Sequence, residues 1–169
     1  MGVHQGSGCP TWQAHRYIRR RKTYHVDVNT KAIRQPDSRS SPSPGAIRSV
    51  PDTVKKALTN SSTGKKHDLS FHVNPSYLEG DFDGDGKMDA AVLVKERSTG
   101  KLGIAIVDGQ TGKVAILGAG IGIGNGGDDF EWMDSWQVYS KTRNVEESEA
   151  ASALIYWNGK RYVWSQQGD

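Results

Sequence analysis

Residues 81–89 read DFDGDGKMD and run without a break into AAVLV. Four carboxylates, Asp81, Asp83, Asp85 and Asp89, fall within nine residues, with Gly84 and Gly86 between them. In a folded loop these charges repel one another. A hard divalent cation relieves the repulsion, because calcium accepts roughly six to eight oxygens in a flexible shell. Residues 81, 83 and 85 alternate and can aim their side chains inward, and Gly86 permits the sharp turn that follows. Lys87 can offer its backbone carbonyl and Asp89 closes the ring. These are the first, third, fifth, seventh and ninth positions of an EF-hand-type loop. The segment predicts a calcium loop that feeds a β-strand.

Two departures from an EF-hand bear on the fold. The twelfth position, where an EF-hand places a bidentate Glu, is Val92, and an apolar strand-like run stands where a helix would be required. The remaining oxygens must come from water or from elsewhere in the chain, and Glu79 is one candidate. Such a site belongs to the weak class, with a dissociation constant on the order of 10⁻⁴–10⁻³ M, which suits calcium-rich surroundings outside the cytoplasm, periplasmic or secreted. The competing reading is an Asp/Gly turn that holds no metal.

Residues 79–94, EGDFDGDGKMDAAVLV, resemble the calcium-loop-plus-strand signature of FG-GAP (integrin-type, VCBS-like) repeats. The resemblance implies that Asp81, Asp83, Asp85 and Asp89 bind calcium through their side chains and Lys87 through its carbonyl. It covers about a tenth of the chain, with high local specificity. The family repeats its motif around a β-propeller, but no second DxDGD occurs here, and the smallest propeller needs about four blades. A complete propeller is therefore not expected. The chain looks more like a small bacterial single-motif protein of this type.

The rest of the chain predicts a mainly β (α+β) domain over 47–169, an antiparallel meander with one short N-terminal helix. SVPDTVKKALTN reads as that helix: Ser49 or Asp52 can cap it, Pro51 suits its first turn, and Val54, Ala57 and Leu58 share a face. Residues 90–94, 102–107 and 114–117 are short, apolar and partly β-branched. The turns between them, RSTGK and DGQTGK, are too short for helical crossovers and suit a meander. Residues 136–139 read as a fourth strand. Residues 152–157 and 160–164 read as a hairpin around a two-residue Asn158-Gly159 turn, with Tyr162 and Trp164 on one face. NVEESEAASA, residues 144–153, reads as a solvated loop or one helical turn capped by Asn144 with Glu147.

Charge divides the chain. Residues 1–46 hold eight Lys/Arg against two Asp/Glu, a balance of +6, whereas the remainder carries −3. The pI near 9.0 thus describes the N-terminal segment, and nucleic-acid binding by the protein as a whole does not follow from it. Residues 1–46 show no periodicity and end in Pro/Ser-rich PDSRSSPSPGA, so they read as a disordered basic tail, non-native or read from a misassigned start. Arg16, Arg19, Arg20, Arg21 and Lys22 could touch an anionic surface, but such runs are more often solvated. The single cysteine, Cys9, excludes an intrachain disulfide and a Cys-based zinc site. MGVHQGSG before it does not read as a secretory or lipoprotein leader. No apolar run approaches the ~18 residues of a membrane span.

Three other signals are weaker. Gly122–Gly127, GIGNGG, satisfies GxGxxG, but the acids Asp128 and Asp129 that follow would repel phosphate. Asp128, Asp129, Glu131 and Asp134, beside Trp132 and Trp136, could serve a carbohydrate-active or carbohydrate-binding protein. His67 and His72 have no spaced partner acid or nucleophile. The expected function is a calcium-stabilised structural or interaction module with a protein or glycan partner and no catalytic residues. A carbohydrate-directed protein built on 128–136 is the alternative.

Overall fold

The computed structural model describes residues 24–29, 49–140 and 152–167. Its elements, in chain order, are β1 (Tyr24–Asn29), α1 (Asp52–Asn60), β2 (His67–Leu69), β3 (Tyr77–Gly80), β4 (Asp89–Glu96), β5 (Leu102–Val107), β6 (Val114–Gly118), β7 (Ser135–Ser140), β8 (Ser152–Trp157) and β9 (Tyr162–Gln167). Among the described residues these nine strands make two antiparallel sheets, and neither closes into a barrel or propeller. No helix there is long and apolar enough to cross a membrane.

The first sheet is the expected meander β4–β5–β6, widened on the free edge of β4. There β2 pairs with its C-terminal half and β3 with its N-terminal half. The second sheet runs β7-β1-β8-β9, so residues 136–139 form a strand but leave the meander for the other layer.

Burial explains why AAVLV lacks the polar alternation of a half-exposed strand. Ala91 and Leu93 pack with Ile104 and Ile106 against Val26, Val28, Ala153 and Ile155 of the second sheet. Ala90, Val92 and Val94 pack with Ala105 and Val107 against Val54 and Leu58 of α1. The first sheet is thus the middle of three layers, buried on both faces, and such strands read as unbroken apolar runs. Each fully buried aliphatic side chain contributes about 1.5–3 kcal/mol.

Three expectations need correction. Residues 1–46 are not all tail: β1 lies inside that segment, sits between β7 and β8, and buries Val26 and Val28 almost completely. Its two valines, set among His25, Asp27 and Asn29, carry too few apolar residues to stand out as a strand. Neither Ser49 nor Asp52 caps α1 through its side chain. The Pro51 carbonyl instead accepts from the N–H groups of Val54 and Lys55, and Asp52 pairs with Lys55. The C-terminal hairpin closes at Trp157↔Tyr162, so its loop has four residues and not two. Asn158 Oδ1 accepts from the N–H groups of Lys160 and Arg161, at 3.0 Å each, and this side-chain turn replaces the tighter one. Tyr162 and Trp164 do share a face, packed against the core between the sheets. The basic run at 16–22, Cys9, and Asn144 with Glu147 lie outside the described residues.

Candidate metal centre

The loop 81–89 joins β3 to β4, and its carboxylates are arranged by backbone N–H groups. Asp83 Oδ1 accepts from Asp85 at 2.9 Å, Asp85 Oδ1 from Lys87 at 2.7 Å and Asp81 Oδ2 from Gly86 at 3.0 Å. Gly84 and Gly86 take positive φ, 80° and 91°, a conformation that side-chain-bearing residues rarely adopt. Lys87 is exposed. Asp89, the first residue of β4, is buried at 2% exposure. Its Oδ2 accepts from the Phe82 N–H and its Oδ1 from the Gly109 N–H, both at 2.9 Å.

Asp108 joins them, a residue the sequence pattern did not single out. The β4–β5 register pairs Ala90 with Val107, so the next residues outward, Asp89 and Asp108, meet at one end of the sheet. The turn after β5 presses against the acidic loop so closely that a Cβ on Gly109 would lie 1.8 Å from the Met88 carbonyl oxygen. Asp108 Oδ1 accepts from the N–H groups of Gln110 and Thr111, and its Oδ2 accepts from the Thr111 hydroxyl. The signal was present in the sequence. A meander places the start of one strand beside the end of the next, and DGQTGK opens with Asp-Gly.

Two trios result: Asp81, Asp83 and Asp89, and Asp83, Asp85 and Asp108, with one carboxylate oxygen from each member within 4.8 Å of the others. Oxygens at roughly 2.3–2.6 Å from one calcium ion lie at most about 5 Å apart. Each trio therefore has the spacing of a common ion. Two unit charges 4.8 Å apart repel by about 1 kcal/mol in water and by about 3 kcal/mol at an effective dielectric near 20. Among the described residues no lysine or arginine pairs with any of these five carboxylates. Asp81 Oδ1 is buried and has no hydrogen-bond partner. An all-carboxylate donor set with one buried, unsatisfied oxygen fits a hard cation. Glu79 is exposed on β3 and belongs to neither trio.

The electrostatics agree. Burial first, and then the charges of Asp85, Asp108 and Asp81, hold the Asp83 carboxyl above the usual range against the Asp85 N–H. Burial likewise raises Asp89, opposed by the Gly109 and Phe82 N–H groups. At Asp108 burial pulls upward, but the Thr111 and Gln110 hydrogen bonds and the Lys113 charge together outweigh it and hold the carboxyl low. Tyr162 of β9 feels the same cluster: burial, and then Asp89, Asp83, Asp108 and Asp81, push its phenol upward.

The other sequence signals resolve into packing. Asp128 pairs with Lys101, and Asp129 Oδ1 accepts from the N–H groups of Leu102 and Glu131. Trp136 is buried and donates to the Pro75 carbonyl. Trp132 packs with Phe130 and Trp164, their ring centroids 5.6–5.8 Å apart. Gly124–Gly126 of the GxGxxG stretch forms a 3-10 turn under Trp164, and β7 follows it with no helix opening there. His67 is buried, with its ring nitrogens facing the Thr63 and Ala119 carbonyls, and His72 Nδ1 meets Ser70 Oγ at 2.9 Å. No family model matches this chain, and no curated protein or solved structure is significantly similar to it.

Proposed function

We propose that this protein is a calcium-binding structural or interaction module, without catalysis of its own, in which calcium stabilises an FG-GAP-like loop at the start of β4. The observation that carries the reading is the buried, unpartnered Asp81 Oδ1 within a cluster of carboxylates that, among the described residues, no lysine or arginine pairs with. Asp81, Asp83, Asp85 and Asp89 would supply side-chain oxygens, Lys87 its carbonyl, and water the remainder. The cation would offset the repulsion in the loop, and so stabilise the folded state as any ligand selective for it does.

The weak affinity of such a site places its use where calcium is plentiful, outside the cytoplasm, with a protein or glycan partner. The carbohydrate-directed alternative gains less support, because Asp128 and Asp129 are each engaged in holding β5 and the loop after β6 together. Calorimetric titration of the full chain with calcium tests the proposal. Saturable binding on the order of 10⁻⁴–10⁻³ M, lost in Asp83→Asn, is expected. Heats of dilution alone from the wild type would overturn it.

A further inference from the structure

The loop between β8 and β9, residues 158–161, is exposed throughout and opens with Asn158-Gly159. We propose that Asn158 is a site of covalent modification, which deamidates through a cyclic imide formed with the Gly159 backbone nitrogen. The chain has one other Asn-Gly pair, Asn125-Gly126, and the fold exposes the first pair while it protects the second.

At Asn158 the attacking nitrogen is available. Among the described residues nothing accepts a hydrogen bond from the Gly159 N–H. A Cβ at Gly159 would meet no atom within 4 Å, so neither a side chain of its own nor a neighbour obstructs the approach. Asn158 Oδ1 accepts from the N–H groups of Lys160 and Arg161, at 3.0 Å each. These donors polarise the side-chain carbonyl, and they are already in place for the negative charge that develops on Oδ1 under attack. Gly126 differs on both counts. Its N–H donates to the Ile123 carbonyl at 3.0 Å, and a Cβ on it would lie 2.6 Å from the Trp164 ring. That nitrogen reacts only after the 3-10 turn opens and moves off Trp164.

The step balances with water alone. A solvent base takes the Gly159 N–H proton, and the nitrogen's electron pair forms a bond to Asn158 Cγ. The Cγ–Nδ2 bond breaks, and Nδ2 takes a proton from solvent and leaves as ammonia. Water then opens the succinimide ring at either carbonyl, giving aspartate or isoaspartate. One water is exchanged for one ammonia overall. Both products place a new carboxylate in the loop, and isoaspartate also lengthens the backbone by a methylene just ahead of β9.

The test is incubation of the full chain in mildly alkaline buffer below its unfolding midpoint, and in parallel in urea. Peptide mass spectrometry follows deamidation at both asparagines. In the folded chain Asn158 should react at least about tenfold faster than Asn125, which corresponds to ~1.4 kcal/mol in the barrier. In urea that advantage should disappear, because the protection of Gly126 is lost. Equal rates in the folded chain, or a faster Asn125, would overturn the proposal. So would an Asn158 that reacts in urea and is stable in the folded chain, since the loop would then shield it.

Discussion

The Gly109 N–H donates to Asp89 Oδ1 at 2.9 Å, across a separation of 20 residues. That bond joins the turn after β5 to the first residue of β4, while the Phe82 N–H holds the other carboxylate oxygen at 2.9 Å. Asp89 is therefore a positioning group as well as a candidate ligand. It organises the loop on one side and the turn on the other, and the Ala90↔Val107 register decides which turn it meets.

The closeness of that contact makes Gly109 intolerant of any side chain. A Cβ would sit 1.8 Å from the Met88 carbonyl oxygen, which is backbone and cannot rotate away. Gly109→Ala is expected to destabilise the protein by at least about 2 kcal/mol. Urea denaturation measures it, and a change within about 0.5 kcal/mol would show that the turn yields.

Strand β1 is the next place to test. Val28 is fully buried between the two sheets. Val28→Ala removes two buried methyl-sized groups and is expected to cost roughly 1–3 kcal/mol. An unchanged denaturation midpoint would return residues 24–29 to the status of a tail.

In chelator, the contributions of Asp83 and Asp89 to stability should fall as pH rises out of the acid range. Asp83 and Asp89 have folded pKa values above the ordinary carboxylate value. Each contributes stability that is full below the unfolded value, about 3.9, and is lost as pH climbs through the raised folded value. Asp108 runs the other way: its folded value is depressed, so its contribution is present above the unfolded value and lost as pH falls through the folded one. Asp83→Asn removes one of the two groups that lose stability with rising pH. The melting temperature of the variant minus that of wild type should therefore rise with pH through the carboxylate range. A difference that stays flat would contradict this assignment.

Tyr162 offers an optical readout of the same cluster. Its phenol lies in the field of Asp89, Asp83, Asp108 and Asp81, and its ring packs against Trp157 with centroids 5.0 Å apart. Terbium in the calcium site should luminesce when the aromatic rings are excited, and Tyr162→Phe should weaken that emission. Equal emission from both proteins would place the ion away from β9.

What the sequence disclosed and what it hid divide along physical lines. Apolar runs buried on both faces, at 90–94 and 102–107, are visible because every residue carries the signal. The helix was visible through the spacing of Val54 and Leu58. Strand β1 was hidden because its flanks, not its two valines, dominate the composition around it. β2 and β3 were hidden by their length, three and four residues. Of the candidate site, the loop carboxylates were legible from alternation alone. Asp108 was not, because its membership depends on register between strands, and neither was the position of Glu79 outside both trios, which depends on which side of β3 faces outward.

The central claim is that a cation neutralises the carboxylate cluster and thereby stabilises the fold. Thermal unfolding of the full chain, with β1 included, in about 10 mM calcium and then in chelator tests it directly. With a dissociation constant of roughly 10⁻⁴–10⁻³ M, linkage gives about 1.4–2.7 kcal/mol. That corresponds to a rise of roughly 3–10 °C in the midpoint, not matched by magnesium at equal concentration, whose smaller shell demands nearer octahedral geometry. An identical midpoint in calcium and in chelator would contradict the account, leaving DFDGDGKMD as an acidic turn whose repulsion the fold tolerates unaided.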